Sequence, residues 1–235
     1  PIGSAQASFT LIENFEGLTA GALGTQNGWT SDEDYTLVND PSGGGNQVLQ
    51  YVAGAQGGAY LPLGDAAIGT SESGTLFARI HFDTDGNANI GLTDVNAPGA
   101  YGDFRVQINR QGATAIKGRD GGGFQDLTST PGDLADDVAT WYNVWVVANN
   151  ATDTSRVFIQ SDGDALFATQ TEVFPPDGSL NFRVAAPEAL DTLVLRSQAG
   201  TFFFDDIHLS PGTDLSNPTV PEPTAPALLL LGMSA

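Results

Sequence analysis

Apolar and polar residues alternate along this chain in short runs, and Gly, Asp, Asn and Pro separate the runs. A period of two places every second side chain on one face of an extended strand, so the pattern predicts β-structure throughout. In 74–83, Leu76, Ala78, Ile80 and Phe82 share one face and Phe77, Arg79 and His81 the other. In 103–109, Phe104, Val106 and Ile108 oppose Arg105, Gln107 and Asn109. Further strands are expected near 8–13, 47–53, 58–62, 88–93, 113–118, 141–149, 155–160, 180–185, 192–197 and 201–209. Only Gly132–Val138 and Pro187–Leu190 read as helical, one turn each. Strands this numerous and short, without an internal repeat, predict an all-β fold, a two-sheet antiparallel β-sandwich. Trp141 and Trp145 share parity in one strand and are expected in its core. Composition does not break before about residue 211, so 1–211 is expected to be one domain and 212–235 a Pro-rich linker with an apolar tail.

Composition narrows the function classes. Of 235 residues, 8 are Lys or Arg and 28 are Asp or Glu, a formal charge of 8 − 28 = −20. A field of that sign repels phosphate backbones, which argues against nucleic-acid binding. With no Cys there is no disulfide framework, thiol catalysis or Cys-based zinc site. Two His, at 81 and 208, leave little material for His-based chemistry.

The strand motifs carry a resemblance. Trp141-Tyr-Asn-Val-Trp followed by Arg156-Val-Phe-Ile-Gln-Ser-Asp-Gly163, with Phe15-Glu-Gly-Leu near the start and Phe203-Phe-Asp-Asp-Ile-His-Leu209 near the end, resembles concanavalin A-like and laminin-G-like jelly rolls over residues 8–210. The resemblance implies a convex and a concave sheet, with ligands lying on the concave one.

The ends suggest an address. The chain starts at Pro1 rather than Met and is read as a processed product or fragment; the small residues of 1–7 suit the surroundings of a signal-peptidase site. Val220, Pro221, Glu222 and Pro223, followed by Leu228–Leu231, resemble the PEP-CTERM sorting signal of Gram-negative bacteria, without its basic end. The apolar stretch is shorter than the roughly 20 residues a membrane helix needs. The resemblance implies export to the periplasm, outer surface or medium, where calcium is plentiful.

Four constellations are candidates for chemistry. Calcium takes six to eight oxygens, and Glu16, the carbonyl of Gly44, Asn46 and Asp206 are its candidate ligands, joining the first and last strands. Successive strand residues point oppositely, so only one of Asp205 and Asp206 is expected to enter that site. Asp83-Thr-Asp-Gly-Asn opens like a calcium loop, but position 12 is Asp94 rather than Glu and no helices flank it. That rejects an EF-hand and favours a hairpin turn. Glycan recognition needs amide, guanidinium and aromatic groups on one face; Arg105, Gln107 and Asn109, with Arg79 and His81 on another strand, are candidates, and Trp29, Tyr60 and Tyr101 are candidate stacking rings. Catalysis has the least support. The paired-carboxylate strand of laminarinase-type hydrolases and the nucleophile elbow are absent. Gly121-Gly-Gly-Phe lacks the Lys-Ser/Thr of a phosphate loop. A lyase centre built from His81, Arg105 and a Tyr has only a loose echo in Arg105-Val-Gln-Ile-Asn.

Together these features predict a non-catalytic exported surface or extracellular-matrix protein. It would be calcium-stabilised, and would bind or organise polysaccharide or self-assemble. Two alternatives stay open: a jelly-roll polysaccharide lyase or hydrolase, and an accessory subunit held to a membrane complex by its tail.

Overall fold

A computed structural model describes residues 8–32, 34–52, 57–82, 86–112, 115–126, 140–161, 163, 167–173 and 179–220. Its strands are β1 (Thr10–Glu13), β2 (Gly21–Ala22), β3 (Thr30–Ser31), β4 (Tyr35–Asn39), β5 (Gln47–Val52), β6 (Gly57–Pro62), β7 (Ser73–Phe82), β8 (Gly86–Thr93) and β9 (Val106–Gly112). They continue as β10 (Ala115–Asp120), β11 (Gly123–Asp126), β12 (Trp141–Asn149), β13 (Thr154–Ser161), β14 (Thr171–Glu172), β15 (Leu180–Asn181), β16 (Thr192–Ala199) and β17 (Thr201–Pro211). Among the described residues, complete 3₁₀ turns lie at Gln26–Gly28, Gly64–Ala66 and Tyr101–Asp103.

The strands form two antiparallel sheets. The larger has ten strands in the order β14-β13-β12-β7-β17-β5-β4-β2, with β1 added to β17 and β15 to β13. The smaller has seven, in the order β11-β10-β9-β8-β16-β6-β3. Alternation decides which side chains lie between the sheets. Leu76, Ala78 and Ile80 of β7, Tyr142, Val144 and Val146 of β12 and Phe202 and Phe204 of β17 meet Ile90, Ile108, Leu193 and Leu195 of the smaller sheet in one continuous core. The all-β two-sheet sandwich expected from the pattern is the observed architecture.

Trp141 and Trp145 are buried, as expected, but not between the sheets. Tyr142, Val144 and Val146 take the interior positions of β12, so the two Trp stand on the outer face of the larger sheet. They are nevertheless buried, each in its own small cluster. Trp145 packs with Phe77, Val147 and Phe158, flanked by Phe9 and Leu215. Trp141 packs with Val48 and Phe203. Bulky rings on an outer face need a cover, and 212–220 helps to supply it for Trp145, whose Nε1 donates to the Ser216 carbonyl (2.8 Å). Asp214 pins this segment: it is buried, its backbone N–H donates to Thr75 Oγ1 (3.0 Å), and it accepts from Ser216 Oγ (2.7 Å). Residues 212–220, read as linker, therefore lie against the sandwich.

Two smaller differences concern local structure. Pro187–Leu190 is not a helical turn; Leu190 forms an isolated bridge with Ile68 instead. The strand expected at 180–185 reduces to Leu180–Asn181. Gly132–Val138 lies outside the described residues.

Truncating Trp145 opens a void beneath this cover. Trp145→Ala should lower unfolding free energy by about 3–5 kcal/mol, read by urea denaturation of the full chain. A loss below about 1 kcal/mol would show that the covered outer face contributes little.

Candidate functional site

The structure separates the candidate residues into two places. Arg79 and His81 belong to β7, where Leu76, Ala78 and Ile80 fill the interior positions, so both stand on the outer face of the larger sheet. Gln107 and Asn109 belong to β9, where Val106 and Ile108 point inward, so they stand on the outer face of the smaller sheet. These faces are on opposite sides of the sandwich. His81 is fully buried, with the rings of Trp141 and Phe203 edge-on to it at 5.5 and 5.3 Å. Arg105 precedes β9 and its Nε contacts Asp94 Oδ1 at 2.6 Å. His81 and Arg105 therefore do not share a cleft.

On the smaller sheet, β8 and β9 place Asn87, Asn89, Gln107 and Asn109 side by side, with Asn89 directly opposite Asn109. Their amides form a ladder. Gln107 Nε2 donates to Asn89 Oδ1 (2.6 Å), and Asn109 Nδ2 donates to Oδ1 of both Asn87 and Asn89 (2.5 Å each). Asn89 Nδ2 donates to Asn87 Oδ1 (3.0 Å) and to the Arg196 carbonyl (2.8 Å). Asn89, Gln107 and Asn109 are 1%, 2% and 5% exposed, so the ladder is a buried floor to this face. Two acceptors in it, Gln107 Oε1 and Asn109 Oδ1, have no hydrogen-bond partner among the described residues. Half-exposed Tyr60, Asn87, Tyr101, Lys117 and Arg196 rim the floor. Arg196 lies over the Tyr101 ring, its guanidinium carbon 5.1 Å from the ring centroid. Tyr60 and Tyr101 thus sit at the face, whereas Trp29 is in the core with Nε1 donating to buried Glu13 (3.2 Å). Asn87, Asn89 and Arg196 were not among the residues expected from sequence. The alternation in Gly86-Asn-Ala-Asn-Ile90 carries the signal, since it puts both Asn on one face.

On the larger sheet the structure does gather the residues around Asp206. Between Asp205 and His208 the register of β17 against β7 shifts, and Asp206 adopts a left-handed backbone (φ 48°). This bulge breaks strand alternation. Both carboxylates turn to Arg79, whose Nη1 is 3.6 Å from Asp205 and 3.3 Å from Asp206. The expectation that only one Asp would enter is corrected by the bulge. Asn46 Nδ2 donates to Asp205 Oδ2 (3.1 Å), and exposed Glu16 accepts from the Gln47 backbone N–H (3.0 Å). Gly44 lies in an exposed loop with φ 100°, and no contact joins it to the Asp pair among the described residues. Nor do three or more His, Asp or Glu side chains converge as a metal centre among those residues. A divalent ion would fit only if the Asn46 carbonyl and Glu16 turned toward the Asp pair, sharing it with Arg79. Of the loop 83–89, residues 83–85 lie outside the described residues; 86–89 belong to β8.

No family model matches the chain, and no curated protein does. Solved structures do. A protein of unknown function from Shewanella oneidensis MR-1 is 15% identical with a TM-score of 0.50, over 91% of this chain and 89% of that one. Lectin II from Ulex europaeus is 13% identical with a TM-score of 0.53, over 82% and 96%. Arcelin-5, a lectin-like defence protein from Phaseolus vulgaris, is 13% identical with a TM-score of 0.50, over 89% and 100%. At these identities the likeness establishes the fold, a concanavalin A-like β-sandwich.

The Asp205 environment has a pH consequence. Burial, then the neighbouring Asp206, raises its carboxyl to about 7, with Glu16 adding and Arg79 opposing. The unfolded value is about 3.9, so between about pH 4 and 7 the folded state holds the extra proton and its stability falls as pH rises. In calcium-free buffer, Asp205→Asn should flatten that fall relative to the wild-type chain in pH-dependent thermal melts. Parallel curves would remove Asp205 as its source.

Proposed function

We propose that this protein is an exported, non-catalytic surface or matrix protein that binds or organises polysaccharide. The carrying observation is the amide floor of the smaller sheet. Hydroxyl-rich ligands are recognised by planar amide groups in a recess flanked by aromatic faces and charged donors. Gln107 Oε1 and Asn109 Oδ1 are acceptors without partners among the described residues, and Tyr60, Tyr101 and Arg196 stand around them. Two of the structural neighbours are a lectin and a lectin-like protein, which supports the same reading. Export rests on the Val220–Pro223 motif, of which Val220 is described and exposed while 221–223 lie outside the described residues.

Binding should be seen when the full chain is applied to a polysaccharide panel, with no release of unsaturated or reducing ends. Gln107→Leu and Asn109→Leu remove one acceptor each and should weaken binding about tenfold, the effect of losing a hydrogen bond worth about 1.5 kcal/mol, with the melting temperature checked in parallel. Failure of the whole panel would overturn the glycan reading. New chain ends would replace it with the lyase or hydrolase alternative.

Calcium stabilisation is proposed for the Glu16, Gly44, Asn46 and Asp206 cluster together with Asp205. An ion bound only by the folded state raises stability by mass action. Calcium should raise the melting temperature of the wild-type chain and not that of Asp205→Asn; an unchanged wild-type melt at matched ionic strength would remove calcium from the account.

A further inference from the structure

The charges of this protein are unevenly placed. The seven strands of the smaller sheet contain Arg110, Lys117, Arg119 and Arg196 against Asp120 and Asp126, a balance of 4 − 2 = +2. Strands of the larger sheet contain Arg79 and Arg156 against Glu13, Glu172, Asp205 and Asp206, a balance of 2 − 4 = −2. The remaining acidic residues, 28 − 6 = 22, are not in the described strands. A molecule of charge −20 thus has one sheet whose described strands carry more cations than carboxylates.

Arg110 follows the inward parity of Ile108 and faces away from this surface. Lys117 stands between Asn109 on one side and Asp126 on the other, and Arg196 opposite Asn89, so both flank the amide floor. Arg119 follows Lys117 on the same parity, and it is buried. Its Nε donates to the Gly121 carbonyl (2.9 Å) and its Nη2 to that of Gly122 (3.0 Å), while the guanidinium lies 4.6 Å from the Phe124 ring centroid. Burial, with Arg183 adding, holds its pKa below the usual arginine value. Arg183 reaches this corner because its backbone N–H donates to the Arg105 carbonyl (2.9 Å). No carboxylate pairs with Arg119, Arg183 or Arg196 among the described residues. Like-charged guanidinium groups held near one another without an acid are a liability that an anionic ligand relieves. At about 0.15 M salt the Debye length is about 8 Å, so the field on this face is set by these cations together with Asp32, which shares the Gly58 corner with Arg196, and Asp126 opposite Lys117.

We infer that the outer face of the smaller sheet binds a polyanionic glycan, whose acid groups meet Arg183, Arg196 and Lys117 while its hydroxyls meet the amide floor. This rests on the glycan reading above and adds the ligand's charge. Carboxylate and sulfate groups share the chemistry; guanidinium binds both in bidentate fashion.

Titration calorimetry of the full chain with polygalacturonate, dextran sulfate and a set of neutral glucans tests it. One or both polyanions should bind more tightly than every neutral polymer, and whichever binds identifies the acid group. Arg183→Gln and Arg196→Gln should each weaken that binding about tenfold, the loss of a charged hydrogen bond of about 1.5 kcal/mol. Arg156→Gln, on the larger sheet and paired with Glu172 at 2.6 Å, should leave it unchanged. Equal or tighter binding to neutral glucans, insensitive to both substitutions, overturns the charge inference and leaves the glycan reading standing. Binding to none of the polymers overturns both. A concentration-dependent rise in mass without glycan, abolished by the same substitutions, overturns the inference in favour of self-association through this face.

Discussion

Strand β17 must satisfy three neighbours at once, and the rest of the sandwich depends on how it does so. Along one edge it pairs with β7 from Phe202 to Pro211. Along the other it pairs first with β5 and then with β1, which brings the start of the chain against its end. An unbroken strand keeps strict alternation. Here the register shift between Asp205 and His208 inserts a residue, and the left-handed Asp206 absorbs it. Phe202 and Phe204 before the shift and Ile207 and Leu209 after it all reach the core. The interior is kept continuous by placing two adjacent carboxylates on the same outer face. The acidic cluster is therefore a by-product of closure as much as a site, and Arg79 is its built-in counter-charge.

With no Cys, that closure is held without disulfides, by packing, hydrogen bonds and the Arg79 ion pairs. The outer face of the larger sheet is accordingly not given to solvent. Phe77, Trp145 and Phe158 lie under Phe9 and Leu215, and Asp214 fastens the segment that covers Trp145. This occupies the larger sheet's outer surface with structural work. Among the described residues the smaller sheet has no comparable apolar layer; its outer face carries amides, two tyrosines and cations instead.

Much of the architecture was legible in the chain because period-two alternation survives wherever one face is core. The strand 141–149 was readable to the residue, and β7, β13, β16 and β17 nearly so. Strand β4 was missed: its Tyr35, Leu37 and Asn39 alternate over only five residues behind an acidic turn. Trp141 and Trp145 were read correctly as buried, but the side of the sheet they occupy was not legible. Parity says which residues share a face, not which face is inward, and hydrophobicity points both ways when Tyr142, Val144 and Val146 compete with two Trp. The same strand rule failed at Asp205–Asp206, since a bulge leaves no mark in the residue pattern. Gln107 and Asn109 were found as a polar stripe, but their partners Asn87 and Asn89 were hidden by reading 83–89 as a turn.

The amide floor and the charge partition bear on one another. A buried amide ladder is costly where acceptors stay unmatched, because each loses its water without gaining a partner. Leucine or valine at Asn89, Gln107 and Asn109 would satisfy the strands equally well and avoid that cost. A sheet that retains these amides, carries more cations than carboxylates in its described strands and holds Arg119 near Arg183 departs from what folding alone requires. The larger sheet shows what this chain does with an outer face that serves stability: it covers it with rings. This contrast is what the proposed recognition by the smaller sheet draws on, and the acidic loops would serve it by repelling anions from other faces.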